Sequence, residues 1–339
     1  MVDRARVPVP SQGSPVREVV VMVSYDSPVA KLGHVAAHTP DLNESLWFFR
    51  EVLGFKLTER VEKTAYLRGM RDWEHHTLSL TESGKRGVDH VAFRTRTPEA
   101  VDALADRFAS EGADVTSVDT DAERGQGRAI RIEQFGHAYE FYYDVEKPRP
   151  PKKQRSKLHN RGYSEATANR IAPRRIDHCH VQDAVSPAHA AWLEEALGFQ
   201  VNEQFRQDDG ELWGWWLSVT PLPHDIAIHR EPAGTDAEFH HVAYHVDSFA
   251  DLWDCADVLA EHGIAPDGGP GRHAITKADF LYVSDPASGF RVELFAGPGY
   301  LNFEPDWEPI EWQEGEIGGA TDHQWIGRGP EWTGLPYVG

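Results

Sequence analysis

Along the chain, short stretches of alternating apolar and polar residues give way to a 3.6-residue apolar rhythm, and the cycle recurs. Residues 32–55, LGHVAAHTPDLNESLWFFREVLGF, open on a strand-like segment containing His34, cross a polar turn and enter an amphipathic helix ending in Leu-Gly-Phe. Residues 176–199, IDHCHVQDAVSPAHAAWLEEALGF, repeat this layout with His178 in the strand. The glycine of each copy stands where a helix C-cap is expected. In the second copy Ala188, Ala191, Trp192 and Leu197 are the expected apolar positions of the helix.

A second unit is also duplicated. Residues 88–115, VDHVAFRTRTPEAVDALADRFASEGADV, match residues 239–266, FHHVAYHVDSFADLWDCADVLAEHGIAP, with helix stops at Gly112 and Gly263. HHTLSL (75–80) and HDIAIH (224–229) alternate and predict strands. Each half closes on a strand bearing a glutamate, Glu140 in HAYEFYYD (137–144) and Glu293 in FRVELFAG (290–297). The chain therefore reads as two halves of two strand–helix units each. The expected boundaries are an arm at 1–29, an N-terminal domain at 30–146, a linker at 147–170, a C-terminal domain at 171–300 and an irregular tail at 301–339. The linker contains the basic, Pro-rich run KPRPPKKQRSK (147–157).

Composition narrows the function. The net charge of -20 argues against nucleic acid or an anionic membrane as partner. Two cysteines cannot build a disulfide framework or a Cys-rich zinc site, and they fit a reducing cytoplasm. No secretory leader is legible in residues 1–18, and no run approaches the roughly 20 apolar residues of a membrane helix.

The polar positions that survive the repeat carry the chemistry. In the C-terminal half His178 and His241 lie on the first strand of each unit and Glu293 on the last. Two imidazoles and one carboxylate on one face leave the opposite coordination positions open, as in the facial triads of Fe(II)–O2 chemistry. A single strand histidine is ordinarily a hydrogen-bonded core or edge residue. The repeat by itself leaves both readings open. His240, next to His241, is expected on the opposite face by alternation, in a structural role.

The stretch GPGRHAITKADFLYVSDPASGFRVE (269–293) adds a resemblance. With the histidine strands it is similar to the closing motif of the type I extradiol ring-cleavage dioxygenases of the vicinal oxygen chelate superfamily, which include catechol 2,3-dioxygenase and homoprotocatechuate 2,3-dioxygenase. The similarity covers roughly residues 30–312. It implies an α+β fold of tandem βαβββ modules, two domains of two modules each. It implies Fe(II), with Mn(II) as the other option, on His178, His241 and Glu293. It further implies that His224 is the acid/base, that Tyr282 hydrogen-bonds a substrate oxygen, and that His273 holds the substrate. Trp216 and His180 belong to the substrate pocket. The implied reaction is extradiol opening of a catechol by O2 to a 2-hydroxymuconate semialdehyde-type product, in a homo-oligomer serving aromatic degradation.

The sequence departs from the family in several places. Asp285-Pro286 is followed by Ala-Ser before Gly289, one residue more than the family's usual spacing. His180 stands where homoprotocatechuate-type enzymes have Asn, and Gly268 where they have Arg. Arg328 is the only tail candidate for meeting a substrate carboxylate, so a neutral or alkylated catechol is favoured. The N-terminal half keeps His34, His90 and Glu140, and His75 matches His224. Arg131 falls at Tyr282's place, and Ala129 or a neighbour at that of the pocket histidine. The N-terminal set is therefore expected to be vestigial. A glyoxalase-like isomerase or a non-catalytic binding protein is the alternative reading of the same fold.

Overall fold

The computed structural model describes residues 27–149, 152, 171–231, 237–297, 299–317 and 334–338. Most of the expected arm and linker, and Arg328, lie outside the described residues.

The alternating segments form strands and the 3.6-residue segments form helices between them. The N-terminal half has β1 (Val29–Thr39), α1 (Leu42–Leu46), β2 (Lys56–Val61), β3 (Thr64–Arg68) and β4 (Leu78–Glu82). It continues with β5 (Gly87–Thr95), α2 (Pro98–Ser110), β6 (Thr116–Val118), β7 (Ala129–Gln134) and β8 (His137–Tyr142). The C-terminal half repeats this as β9 (Arg175–Asp183), α3 (Ser186–Leu197), β10 (Gln200–Arg206), β11 (Leu212–Ser218) and β12 (Ile226–Arg230). Then follow β13 (Glu238–Val246), α4 (Phe249–Glu261), β14 (Gly268–Arg272), β15 (Asp279–Ser284) and β16 (Arg291–Ala296). These are four βαβββ modules, as the resemblance implied.

The first sheet has the order β2-β3-β4-β1-β5-β8-β7-β6. The second repeats it in mirror listing, β14-β15-β16-β13-β9-β12-β11-β10. The tail, expected to be irregular, adds β17 (Ile310–Gln313) parallel to β10 and β18 (Leu335–Pro336) against β13. β17 extends the sheet at its β10 edge and β18 pairs the start of β13, which satisfies backbone groups that the tail's weak apolar periodicity does not reveal.

One apolar core runs through both halves, from Val35, Phe49 and Phe93 to Leu193, Tyr244 and Leu294. Polar contacts cross between the halves as well. Ile176 N donates to Asp72 Oδ1 at 3.2 Å, and Ser45 Oγ donates to Asp285 Oδ2 at 2.6 Å.

Three local expectations change. The helix after β1 is capped by Asp41, whose Oδ1 accepts from Asn43 N at 2.9 Å, but after Leu46 it widens into a π-helical turn at Trp47–Val52. The wider turn lets Phe48, Phe49 and Val52 bury together. HHTLSL and HDIAIH become strands only from Leu78 and Ile226, leaving His75, His76 and His224 in the approach. In α3 the buried face is His189, Ala190, Leu193, Ala196 and Leu197, whereas Ala188 and Ala191 are exposed. The phase is set by His189, whose Nδ1 lies 2.7 Å from Asp183 Oδ2, a contact that outranks alanine periodicity. Gly198 ends the helix with φ 70°, the left-handed cap that its position predicted.

The two faces of α3 should separate cleanly in denaturation. Leu193→Ala is expected to lower stability by about 2–5 kcal/mol, because Leu193 is fully buried. Ala191→Ser should stay within about 0.5 kcal/mol. Equal effects in urea unfolding would refute this helix phase.

Candidate metal centre and active site

β9, β13 and β16 are adjacent, and register decides which side chains meet. Ala243 of β13 pairs with Glu293 of β16, and Glu293 pairs with Tyr282 of β15. Across β13 and β9, Phe239 pairs with Val181 and His241 with His180, so His240 is an extra residue in a β-bulge. The bulge interrupts the alternation that put His240 on the far face. Its ring instead lies 5.1 Å from that of His180, and its Nδ1 is 2.6 Å from His241 Nδ1.

His178, His241 and Glu293 converge, all buried. His178 Nε2 lies 2.9 Å from Glu293 Oε2, and His241 Nε2 lies 3.2 Å from the same oxygen. His241 Nε2 is buried without a hydrogen-bond partner. In the tautomer that carries its proton on Nδ1, 2.6 Å from His240 Nδ1, the Nε2 nitrogen keeps its lone pair. A buried lone pair beside a carboxylate and a second imidazole suits a divalent ion, whose ligands at about 2.0–2.2 Å stand about 3 Å from one another. The residues therefore fit the metal that the family implies.

The surroundings hold the ligands in place. Asp177 Oδ1 is 3.0 Å from His178 Nδ1, which orients the ring and points Nε2 inward. Burial works against a charged His178, but Asp177 and Glu293 outweigh it and raise its pKa to about 9. Burial likewise opposes the charge of Glu293, yet the neighbouring His178, His241 and His273 hold its carboxyl well below the usual range. Glu293 is thus an anion ready for a cation. Asp177 was missed by the sequence reading; the Asp-His dipeptide, seen also at Asp89-His90, is the signal that could have found it. Asp177→Asn is expected to lower metal affinity or turnover roughly 10- to 100-fold. Metal titration of the variant checks this, and wild-type affinity would count against the orienting role.

The other expected residues gather around the triad. The ring of His224 lies 3.9 Å from that of His178. Burial, together with the neighbouring His178, pushes its pKa well below the ordinary value, so it is neutral. Its Nδ1 is buried without a partner. His273 Nε2 sits 3.0 Å from Glu293 Oε1 and 3.1 Å from the Tyr282 hydroxyl, and its ring stacks on Phe280. Burial, with Glu293 nearby, holds the Tyr282 phenol protonated.

The cavity above these groups measures about 90 Å³. His180 and Trp216 line it as expected, and Phe205, Trp213, Ile275, Thr276 and Phe295 complete the wall. These additions were illegible because they come from different strands and one loop. Among the described lining residues none is Arg or Lys.

The turn before Glu293 absorbs the extra residue. Asp285 accepts from Ala287 N and Ser288 N, each at 3.2 Å, and Gly289 N donates to Asp285 O at 2.7 Å. Gly289 takes φ 77°, open to glycine without strain. Glu293 stays in register.

The family described as Glyoxalase/Bleomycin resistance protein/Dioxygenase superfamily matches residues 31–141 and 175–294. A manganese-dependent 2,3-dihydroxybiphenyl 1,2-dioxygenase of Geobacillus genomosp. 3 is 47% identical over 291 residues, 85% of this chain and 91% of its own. The chain belongs to the extradiol dioxygenases of this superfamily. A metapyrocatechase of Geobacillus stearothermophilus is 35% identical over 88% of the chain and 90% of its own. Homoprotocatechuate 2,3-dioxygenase from Arthrobacter globiformis superposes with a TM-score of 0.76 at 27% identity, covering 88% of this chain and 87% of that one. The isomerase and binding-protein alternatives give way to an extradiol dioxygenase, an enzyme class that uses Fe(II) and includes the manganese-dependent relative.

Proposed function

We propose that this dioxygenase opens the ring of a neutral catechol, unsubstituted or bearing an apolar substituent, beside one of its two hydroxyls. The cavity carries the reading: the triad forms its floor, aromatic side chains its wall, and no described lining residue is a cation that would meet a carboxylate. The relative at 47% identity, named for a dihydroxybiphenyl, also suggests an apolar ring substituent.

His178, His241 and Glu293 hold the metal, Fe(II) or Mn(II). Bound there, it supplies a Lewis-acidic centre that brings the catechol oxygens and O2 together. The protein's own groups do the rest. His224, neutral and unpartnered at Nδ1, takes a proton from the substrate and returns it as oxygen is reduced. Tyr282 donates its hydroxyl hydrogen to the deprotonated substrate oxygen. His273 couples Tyr282 to Glu293 and orients the ring. Phe205, Trp213, Trp216 and Phe295 stack on the ring and exclude water, which strengthens every polar contact inside.

Oxygen uptake over a panel of catechols tests the proposal. Neutral and alkyl- or aryl-substituted catechols should consume O2 with a yellow product, and ring-carboxylated ones should be much poorer. A preference for carboxylated catechols would overturn the substrate assignment. Apoprotein reloaded with Fe(II) or Mn(II) should turn over, while Zn(II) should occupy the site without O2 uptake because it has no redox chemistry.

The remaining properties belong to the same proposal. No described helix is long and apolar enough to cross a membrane. Two buried free cysteines support a reducing cytoplasm. Trp73, Leu301 and Phe303 are exposed around one cavity of about 580 Å³ and support self-association.

A further inference from the structure

The N-terminal repeat contains a second cluster of ligand-type side chains, and its composition differs from what the repeat alone implies. Register identifies the counterparts. Val35 pairs with Leu78 as Cys179 pairs with Ile226, so His76, not His75, corresponds to His224. The rings of His34 and His76 lie 4.6 Å apart. His75 turns away, its Nε2 lying 3.1 Å from Glu59. Arg131 pairs with Glu140 as Tyr282 pairs with Glu293. Gln126, rather than Ala129, takes His273's place, its Nε2 donating to Glu140 Oε1 at 2.5 Å.

Glu140 is thereby diverted. Gln126 holds one of its oxygens, and Arg131 Nε holds the other at 2.6 Å. A different carboxylate fills the vacated role. Glu123, from the turn before β7, places Oε2 at 3.2 Å from His34 Nε2 and Oε1 at 3.0 Å from His90 Nε2. His76 Nε2 is 3.2 Å from Glu123 Oε2, and the His34 and His90 Nε2 atoms are 3.1 Å apart. His34, His76 and His90 are buried and Glu123 nearly so.

We propose that His34, His76, His90 and Glu123 bind a second divalent transition-metal ion, distinct from the catalytic one. Three imidazole nitrogens and one carboxylate oxygen are a common donor set for such ions. The separations of 3.0–3.2 Å match ligand atoms about 2.0–2.1 Å from a shared ion. They also match the 2.9 and 3.2 Å separations in the catalytic triad. Charge is accommodated too: Arg131 lies against both carboxylates, 2.6 Å from Glu140 Oε2 and 2.8 Å from Glu123 Oε1, which leaves Glu123 Oε2, 3.2 Å from His34 and His76, to face the ion. The two sites differ in access. Glu123, reaching His34, His76 and His90, covers the face that stays open in the C-terminal half, so the N-terminal ion is structural and does not turn over catechol.

The test is metal stoichiometry on the intact chain, chelated and then reloaded with Mn(II) or with Zn(II). Wild type should hold two equivalents, and one equivalent overturns the proposal. His241→Ala should keep one, whereas His90→Ala and Glu123→Gln should each lose one while retaining ring cleavage. A second equivalent that survives both of these variants lies elsewhere and also overturns the proposal. Should a variant fail to fold, the wild-type count still decides. Chelation should lower the melting temperature of His241→Ala further than that of the His90→Ala/His241→Ala double variant; equal shifts contradict a structural ion.

Discussion

His241→Ala should remove the catalytic ion and reduce ring cleavage by at least about a thousandfold. The size follows from what the ion supplies: Lewis-acid stabilisation worth several kcal/mol, each 1.4 kcal/mol being about tenfold in rate. His241 contributes the one triad nitrogen that is buried without any hydrogen-bond partner. Alanine therefore removes a ligand and leaves Glu293 facing His178 with its charge less well compensated. Metal analysis and oxygen uptake should fall together, the former by one equivalent. Retained activity with the ion lost would remove the triad from the mechanism. Retained ion and activity together would show that other residues hold the metal.

His224→Phe should separate chemistry from metal binding. The expected loss in kcat is roughly 10²- to 10⁴-fold, the usual contribution of a positioned acid/base group. Metal content should be unchanged, since His224 packs on His178 without standing among the triad ligands. Phenylalanine preserves the ring and the packing against His178 and removes only the nitrogens. KM should move much less than kcat, because the aromatic wall that grips the substrate stays intact. A variant with wild-type kcat would show that proton transfer runs through another group, with His273 the nearest alternative by geometry.

The candidate site was legible in the sequence to the extent that it lies on strands. His178, His241 and Glu293 sit at repeated strand positions, and a strand has only two faces, so matched positions imply a common direction. His224, His273 and Tyr282 were reached through resemblance, and the structure gathers all three around the triad. Residues governed by irregular backbone were misplaced. His240 follows a bulge, which periodicity does not register. His75 was preferred over His76 because the approach to β4 is not yet a strand and its pairing cannot be counted. Glu123 had no signal at all, since it stands in a turn with neither repeat nor alternation.

Sequence by itself determined the four-module organisation and the repeated strand positions of His178, His241 and Glu293. Both depend on local periodicity and on duplication, which are properties of chain order. Tertiary structure decided everything that depends on distance between separate strands. It brought His241 Nε2 within 3.2 Å of Glu293 and left that nitrogen without another partner. It closed a cavity free of cationic described lining residues over the triad. In the other half it set Glu123 beside His34, His76 and His90. The reason is physical: ligand geometry is set to tenths of an ångström by register, bulges and packing across strands, and chain order constrains none of these until the sheets are assembled.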